Sequence, residues 1–441
     1  MGSPRSRTHN RGVYGLIRAY GRAMVGSWYR VEAHGEALPE RGAMILYANH
    51  NGGLVDGGLM WFLTGRQLRF IAKYTLLKMP LLGLLIRAAG TIPVYRKKDK
   101  VDTSLNQSSF AAIDAALLAG EAIVLYPEGE GGTEPFVRPF KTGTARMALS
   151  ALEASKGALE LRLVPVGITY EDQDRYRSVL HATVGKAVTL GDLGSEEAGP
   201  AAVAHATARI REALRALLPE HEAREQVAAS RLAAELVPAR GRTLQVRMRA
   251  VVAGLARLRE AAPARATRLQ EELQRCAQEL RGLGLRGGDL ESPPSWGEVL
   301  VAAPAALISG LLRLAVHAVW APAYWPARTV AKRFAPADKV VTFTLIGSSF
   351  AGVAWAAGAA AWGWSKAGPA AAAAALLVLG AAWWLAGHAR EAWDASTAVL
   401  RTRLLWGTRL TPLRARVGAL RTQLTRRSEA QARLLRRQAT A

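Results

Sequence analysis

Residues 340–364 form a run of 25 without a charged side chain, and residues 367–389 a second run of 23 whose only titratable group is His388. At about 1.5 Å per helical residue, either run can cross a hydrocarbon layer about 30 Å thick. In lipid such a run has to be helical, because no water is present to satisfy its backbone groups. Only Ser365 and Lys366 lie between the two. The pair therefore predicts a transmembrane helical hairpin that enters and leaves on one side. Lys332, Arg333 and Lys339 precede it, and Arg390, Arg401 and Arg403 follow it, so the excess of positive charge puts both ends in the cytoplasm. The competing reading is a buried Ala-rich helix pair in a soluble core, since Ala and Gly lower the transfer energy per residue. Leu300 to Trp320 is also apolar but contains Pro304, Arg313 and His317. It reads as an interfacial or partly inserted helix.

A chain of 441 residues exceeds one typical domain. Its net charge of +23 calls for an anionic partner: nucleic acid, phospholipid headgroups or a phosphorylated substrate. The arginines are spread along helical segments, with no basic strand interleaved with aromatics, so membrane attachment explains the charge better than nucleic acid. The single cysteine, Cys276, excludes an internal disulfide and a cysteine-built zinc site. Met1 to Gly12 is polar and basic, which argues against export of the N-terminal half.

Gly12 to Trp28 has the spacing of a basic amphipathic helix, which either packs on a core or lies on a bilayer surface. Between it and about Leu190 the chain alternates short β-rich runs with helical patterns. Strands are predicted at Ala43–Ala48, Leu68–Ala72, Thr91–Tyr95, Ala122–Tyr126, Leu161–Ile168 and Ala182–Val184. Helices are predicted around Gly57–Leu63, Ser108–Ala119 and Thr144–Ala154, and the alternation is that of an α/β domain. Beyond Gly194 the composition turns to Ala, Leu, Arg and Glu, as in solvent-facing helices. Gly287, Gly288, Pro293 and Pro294 mark a break. The resulting division is an N-terminal helix over 1–30, an α/β domain over 31–194, a helical segment over 195–290, a membrane domain over 291–405 and a basic tail over 406–441. That tail is suited to anionic lipid, at about 1 kcal/mol per Lys or Arg near the surface.

Four segments of the α/β region carry candidate chemistry. The first is Asn49-His50-Asn51-Gly52-Gly53-Leu54-Val55-Asp56, directly after a strand. A histidine that takes a proton from an alcohol needs a pKa near neutrality and a carboxylate to fix its tautomer. Along a continuous helix, six residues turn the chain through roughly 240°, so His50 and Asp56 would point apart. They meet only if the chain turns at Gly52 and Gly53. The second segment, Gly90-Thr91-Ile92-Pro93-Val94-Tyr95-Arg96 with Lys97 and Lys98, delivers a guanidinium suited to a phosphate. Taken singly it is a solvated strand exit. The third, Tyr126-Pro127-Glu128-Gly129-Glu130-Gly131-Gly132, joins an acid to a glycine-rich turn, with Arg138, Lys141 and Arg146 following. The fourth, Leu163-Val164-Pro165-Val166-Gly167-Ile168, is a core strand.

In this order the four segments resemble the blocks of the glycerolipid acyltransferase family, the glycerol-3-phosphate and 1-acylglycerol-3-phosphate O-acyltransferases: His-Asp, Gly-Ile-Val-Arg, Phe-Pro-Glu-Gly and Val-Pro-Val. Phe70-Ile71-Ala72-Lys73 and the run from Met79 to Gly83 also resemble that family's approach to its second block. The resemblance covers about Arg30 to Lys186. Five residues separate His50 from Asp56 where the commoner pattern has four, and this longer form is similar to a branch around the yeast-type glycerol-3-phosphate acyltransferases and their bacterial relatives. Tyr126 replaces the usual Phe, and Glu130 stands where a small uncharged residue is usual.

The resemblance implies a mixed sheet flanked by helices, with His50 as general base and Asp56 as its orienting carboxylate. It implies that Lys73, Arg96, Glu128 and Gly129 bind substrate, with no metal and no bound cofactor; Arg138 and Lys141 are further candidates for the phosphate. The donor is then acyl-CoA or acyl-acyl carrier protein, and the acceptor 1-acyl-glycerol-3-phosphate, giving phosphatidic acid. Glycerol 3-phosphate or dihydroxyacetone phosphate is the alternative acceptor, and an inactive membrane scaffold of the same fold is the rival from another class. The expected location is the bacterial inner membrane, with the catalytic domain in the cytoplasm. Oligomeric state, chain length and donor carrier stay open.

Overall fold

A computed structural model describes residues 11–96, 99–132, 134–189, 199–219, 221, 223, 225–239, 241–335 and 340–439, with side chains up to residue 426. The polar segment before residue 11, Lys97, Lys98 and Lys339 lie outside the described residues. Contacts divide the chain into two compact units. One comprises residues 1–133, 137–218 and 323–353, and the other residues 134–136, 219–322 and 354–441.

In the first unit, among the described residues, seven strands form one sheet: β1 (Arg30–Gly35), β2 (Met44–Ala48), β3 (Leu68–Lys73), β4 (Ile92–Val94), β5 (Ala122–Leu125), β6 (Arg162–Tyr170) and β7 (Val179–Val184). Their order is β1-β7-β6-β2-β5-β3-β4. All neighbours are parallel except β6 and β7, which are antiparallel. The mixed α/β sheet expected from the sequence is thus present. β1 was not anticipated, because Arg-Val-Glu-Ala-His-Gly has no apolar run and its alternation rests on Val31 and Ala33 alone.

Strand β2 is central and buried along its whole length. Ile45 and Tyr47 enter one apolar cluster with Ile113, Ile123 and Ala148, while Met44, Leu46 and Ala48 enter another with Val55, Leu59 and Val166. This period of two across a sheet covered on both faces is why its sequence reads as unbroken apolar residues. Helices α5 (Asn106–Leu118), α6 (Gly143–Ala154) and α7 (Pro200–Arg215) supply the first cluster. Helices α1 (Arg11–Trp28) and α2 (Leu54–Leu63) supply the second. The short helices α3 (Tyr74–Leu77) and α4 (Leu82–Ala88) link β3 to β4.

Of the two readings of the N-terminal helix, the structure takes packing on the core. Tyr14, Ile17, Gly21, Val25 and Trp28 are buried at spacings of three and four. Gly21 lies against the Trp61 ring, and the Trp61 indole N–H donates to the Tyr14 hydroxyl at 3.0 Å.

The second unit holds α8 (Glu225–Leu236), α9 (Leu244–Ala261) and α10 (Pro263–Leu283), built around an apolar cluster that includes Leu232, Leu273, Cys276 and Leu413. Leu413 comes from α13 (Leu410–Ala439). Two further helices, α11 (Trp296–Phe334) and α12 (Val340–Leu405), are long and apolar enough to cross a membrane. The apolar stretch around Leu300–Trp320 is therefore part of one continuous helix of 39 residues. Within α12 the backbone leaves helical geometry at Ala367 and Gly368, two residues beyond Ser365 and Lys366. Pro369 opens the next arm, where its missing N–H costs nothing. Gly363 comes against the Ala371 backbone across this break, so the chain turns sharply there.

Candidate active site

In a sheet of parallel strands, ligands collect beyond the carboxyl ends of the strands. Here β2 ends at Ala48, and the next two side chains have opposite tasks. Asn49 faces inward: its amide accepts from the Ile168 N–H at 2.8 Å and donates to the Ile168 carbonyl at 2.9 Å, so it extends the β2–β6 ladder with a side chain. His50 faces out of the sheet end. Gly53 adopts φ 61° and ψ −125°, a conformation suited to glycine, and α2 begins at the next residue. This turn brings Asp56 back beneath the imidazole. The His50 Nδ1 stands 2.9 Å from Asp56 Oδ2, and Asp56 is fully buried.

Three groups hold the Asp56 carboxylate. Besides His50, the Gly52 N–H donates to Oδ2 at 2.8 Å and the Tyr170 hydroxyl to Oδ1 at 2.5 Å. Burial, followed by the charge of Asp56, pushes the Tyr170 hydroxyl well above its usual range, so the phenol keeps its proton and donates it. Asp56 accepts at Nδ1, which leaves Nε2 of His50 as the nitrogen with a free lone pair. That nitrogen faces Gly131. The imidazole stacks on the Tyr126 ring at 4.1 Å and 17°. This gives the Phe-to-Tyr departure a structural meaning, because either ring supplies the stacking face.

The third segment wraps the first. The Gly132 N–H donates to the His50 carbonyl at 2.9 Å, and Arg138 donates to the same oxygen at 3.4 Å and to the Glu130 carbonyl. The buried Glu128 receives Arg138 at Oε2, with Nε at 2.9 Å and Nη2 at 2.5 Å, while its Oε1 has no hydrogen-bond partner among the described residues. Arg96 donates to the Gly129 carbonyl at 3.2 Å, and Lys141 lies along Gly129. Lys73 ends β3 in register with Val94, two residues before Arg96.

The structure therefore gathers His50, Asp56, Glu128, Gly129, Arg138, Arg96 and Lys141 about one strand end, and sets Lys73 on a strand two positions away. It adds acidic partners that the sequence did not predict. Arg96 is paired with Asp99 at 2.8 Å, and Lys141 with Glu130 at 3.7 Å. The unusual Glu130 thus has a local partner. Tyr170, Asn49 and Thr342 were also missed. Thr342, at the start of α12, donates to the Gly52 carbonyl at 3.0 Å. Tyr170 ends the strand of the fourth segment, and its neighbourhood to β2 was the only available signal.

Burial raises the Glu128 pKa above the ordinary glutamate value, with Arg138 opposing the shift. A carboxyl whose folded pKa is raised contributes stability that is present below its unfolded pKa and is lost as pH rises through the folded value. Arg138→Ala removes the opposing cause and leaves a buried carboxylate uncompensated. The expected loss is about 3–5 kcal/mol near pH 8, and it becomes smaller as pH falls toward 5 because a raised pKa eases protonation of the uncompensated carboxylate. Denaturant melts of the variant and wild type at both pH values read this directly, and an equal loss at the two would contradict it.

Residues 30–169 match the family model described as Acyltransferase. That segment contains the four motifs, and the match agrees with the resemblance read from them. Comparison with curated proteins finds no match. Among solved structures, one match is the 1-acyl-sn-glycerophosphate (LPA) acyltransferase PlsC from Thermotoga maritima. The identity is 21% and the TM-score 0.35, covering 46% of this chain and 77% of that one.

Proposed function

We propose that this protein is a membrane-bound O-acyltransferase that moves a fatty acyl group from an acyl thioester to 1-acyl-glycerol-3-phosphate, giving phosphatidic acid. The observation that supports it is the imidazole at 2.9 Å from a fully buried carboxylate, within a domain of the acyltransferase family. In this reading Nε2 of His50 takes the proton of the acceptor hydroxyl as its oxygen attacks the thioester carbonyl. The tetrahedral intermediate collapses with cleavage of the carbon–sulfur bond, and the leaving thiolate takes the proton back from His50. Backbone N–H groups of the glycine-rich turn, or a basic side chain, stabilise the oxyanion. Arg96 and Lys141 receive the phosphate, with Lys73 and Arg138 adding positive charge. The acidic partners of Arg96 and Lys141 keep these side chains ordered before substrate arrives.

No nucleophile from the protein is required. Cys276, the sole cysteine, is buried in a helical core, and its thiol is pushed up to about 11, first by burial. The apolar helices α11 and α12 suit a protein whose acceptor is a lipid, with the basic tail against anionic headgroups.

The test is acyl transfer by membranes containing the wild type or His50→Ala, offered a labelled acyl thioester with either glycerol 3-phosphate or its monoacyl ester. Phosphatidic acid formed from the monoacyl ester by the wild type alone is expected. Preferential acylation of glycerol 3-phosphate would move the acceptor one step earlier. Tyr170→Phe removes one charge-assisted hydrogen bond from Asp56 and should lower kcat on the order of tenfold to a hundredfold with the acceptor KM unchanged. A change confined to KM would assign Tyr170 to binding instead.

A further inference from the structure

At the sheet edge formed by β1 and β7, a second set of titratable groups meets, apart from the site described above. Glu32 and His34 are two residues apart on β1, so their side chains leave the same face. In register with Glu32 on the adjoining strand is His181, which in turn faces Thr169 on β6. The three ligating atoms all lie within 4.8 Å of one another. His181 is only 3% exposed, yet among the described residues neither ring nitrogen has a hydrogen-bond partner. A buried imidazole without hydrogen bonds is costly, so it needs an explanation.

The distances supply one. His181 Nδ1 is 3.4 Å from Glu32 Oε2, His34 Nε2 is 3.6 Å from the same oxygen, and His181 Nε2 is 3.5 Å from Glu171 Oε1. These are long for hydrogen bonds. Ligands held about 2.0–2.1 Å from a tetrahedral zinc ion are separated by roughly 3.3–3.4 Å, close to the first two spacings. Glu171 then stands where a metal-bound histidine needs a carboxylate, at the ring nitrogen that does not face the metal.

We propose that Glu32, His34 and His181 bind a Zn²⁺ ion, with Glu171 orienting His181 and a water completing the tetrahedron. Two imidazoles and one carboxylate favour zinc over magnesium or calcium, which take oxygen ligands. The ion would clip β1, a short edge strand, to β7. No sequence motif reveals the set, because His181 is brought to Glu32 and His34 only by the register of β1 and β7.

The experiment uses the full chain, purified in detergent with any affinity tag removed and stripped with a chelator. Zn²⁺ is titrated in competition with a chromophoric chelator, and Co²⁺ is added separately to read its visible absorption. One equivalent of zinc per chain is expected, together with a tetrahedral cobalt spectrum and a higher melting temperature with metal. Glu171→Gln should weaken zinc binding about 10–100-fold. His34→Gln and Glu32→Gln, both at partly exposed positions, should weaken it further while leaving the metal-free melt unchanged. Failure of the wild type to take up stoichiometric zinc, or uptake indifferent to both ligand substitutions, would overturn the site.

Discussion

His50→Ala is expected to lower the rate of acyl transfer by about 10²–10⁴-fold, the usual contribution of a positioned general base, while substrate KM values change little. The side chain is partly exposed and contributes stacking on Tyr126 and one bond to Asp56, so the variant should still fold. Steady-state kinetics on membranes, with protein level fixed by immunoblot, separates the two readings of the domain. A variant that keeps wild-type transfer would remove His50 as the base, and one that loses transfer yet still supports a strain lacking the gene would mean that the domain is a scaffold.

A loss of about a hundredfold or more is expected from Gly52→Ala, because a displacement of about 1 Å in a catalytic pair can cost this much. A Cβ on Gly52 would sit 1.8 Å from the Tyr170 hydroxyl oxygen and 2.7 Å from Asp56 Oδ1. Both belong to the set that fixes the carboxylate under His50, and neither can retreat into the packed core. Overpacking there should also cost about 1–3 kcal/mol of stability. Gly57→Ala is the matched control: its Cβ would meet only Phe70, at 3.8 Å. In mid-helix it should be neutral or stabilising by about 0.5–1 kcal/mol. If the two alanine variants behave alike in an acyl-transfer assay, the loop does not set the geometry as described.

Much of this arrangement was legible beforehand because it is local. The strand pattern of β2 through β7 follows from apolar runs bounded by turn residues. The His50–Asp56 meeting follows from two glycines placed where a helix alone would have parted the pair. The unread parts depend on chain separation. Tyr170 reaches Asp56 across 114 residues, and Thr342 reaches Gly52 across 290. No periodicity connects such positions, and only strand order and helix packing do. The acidic partners of Arg96 and Arg138 were close in sequence, yet their roles were hidden for a different reason. A glutamate beside a glycine turn looks the same whether it faces substrate or neutralises a neighbouring guanidinium. Strand β1 was missed because its side chains pack on one neighbour at a sheet edge, where polar residues are tolerated.

Thr342 opens the first turn of α12, and Leu345, one turn later, is buried in the same apolar cluster as Met44 and Val166. The stem of the apolar helix is thus a structural member of the domain that bears His50, and Tyr324 joins it from α11. A fragment ending near residue 218 would forfeit those members, exposing part of the cluster around Val164 and leaving the Gly52 carbonyl with the Val55 N–H as its remaining donor. Crystallographers seeking such a fragment should retain residues 323–353 by splicing, since they belong to the same compact unit and one of them holds the turn that leads to Asp56.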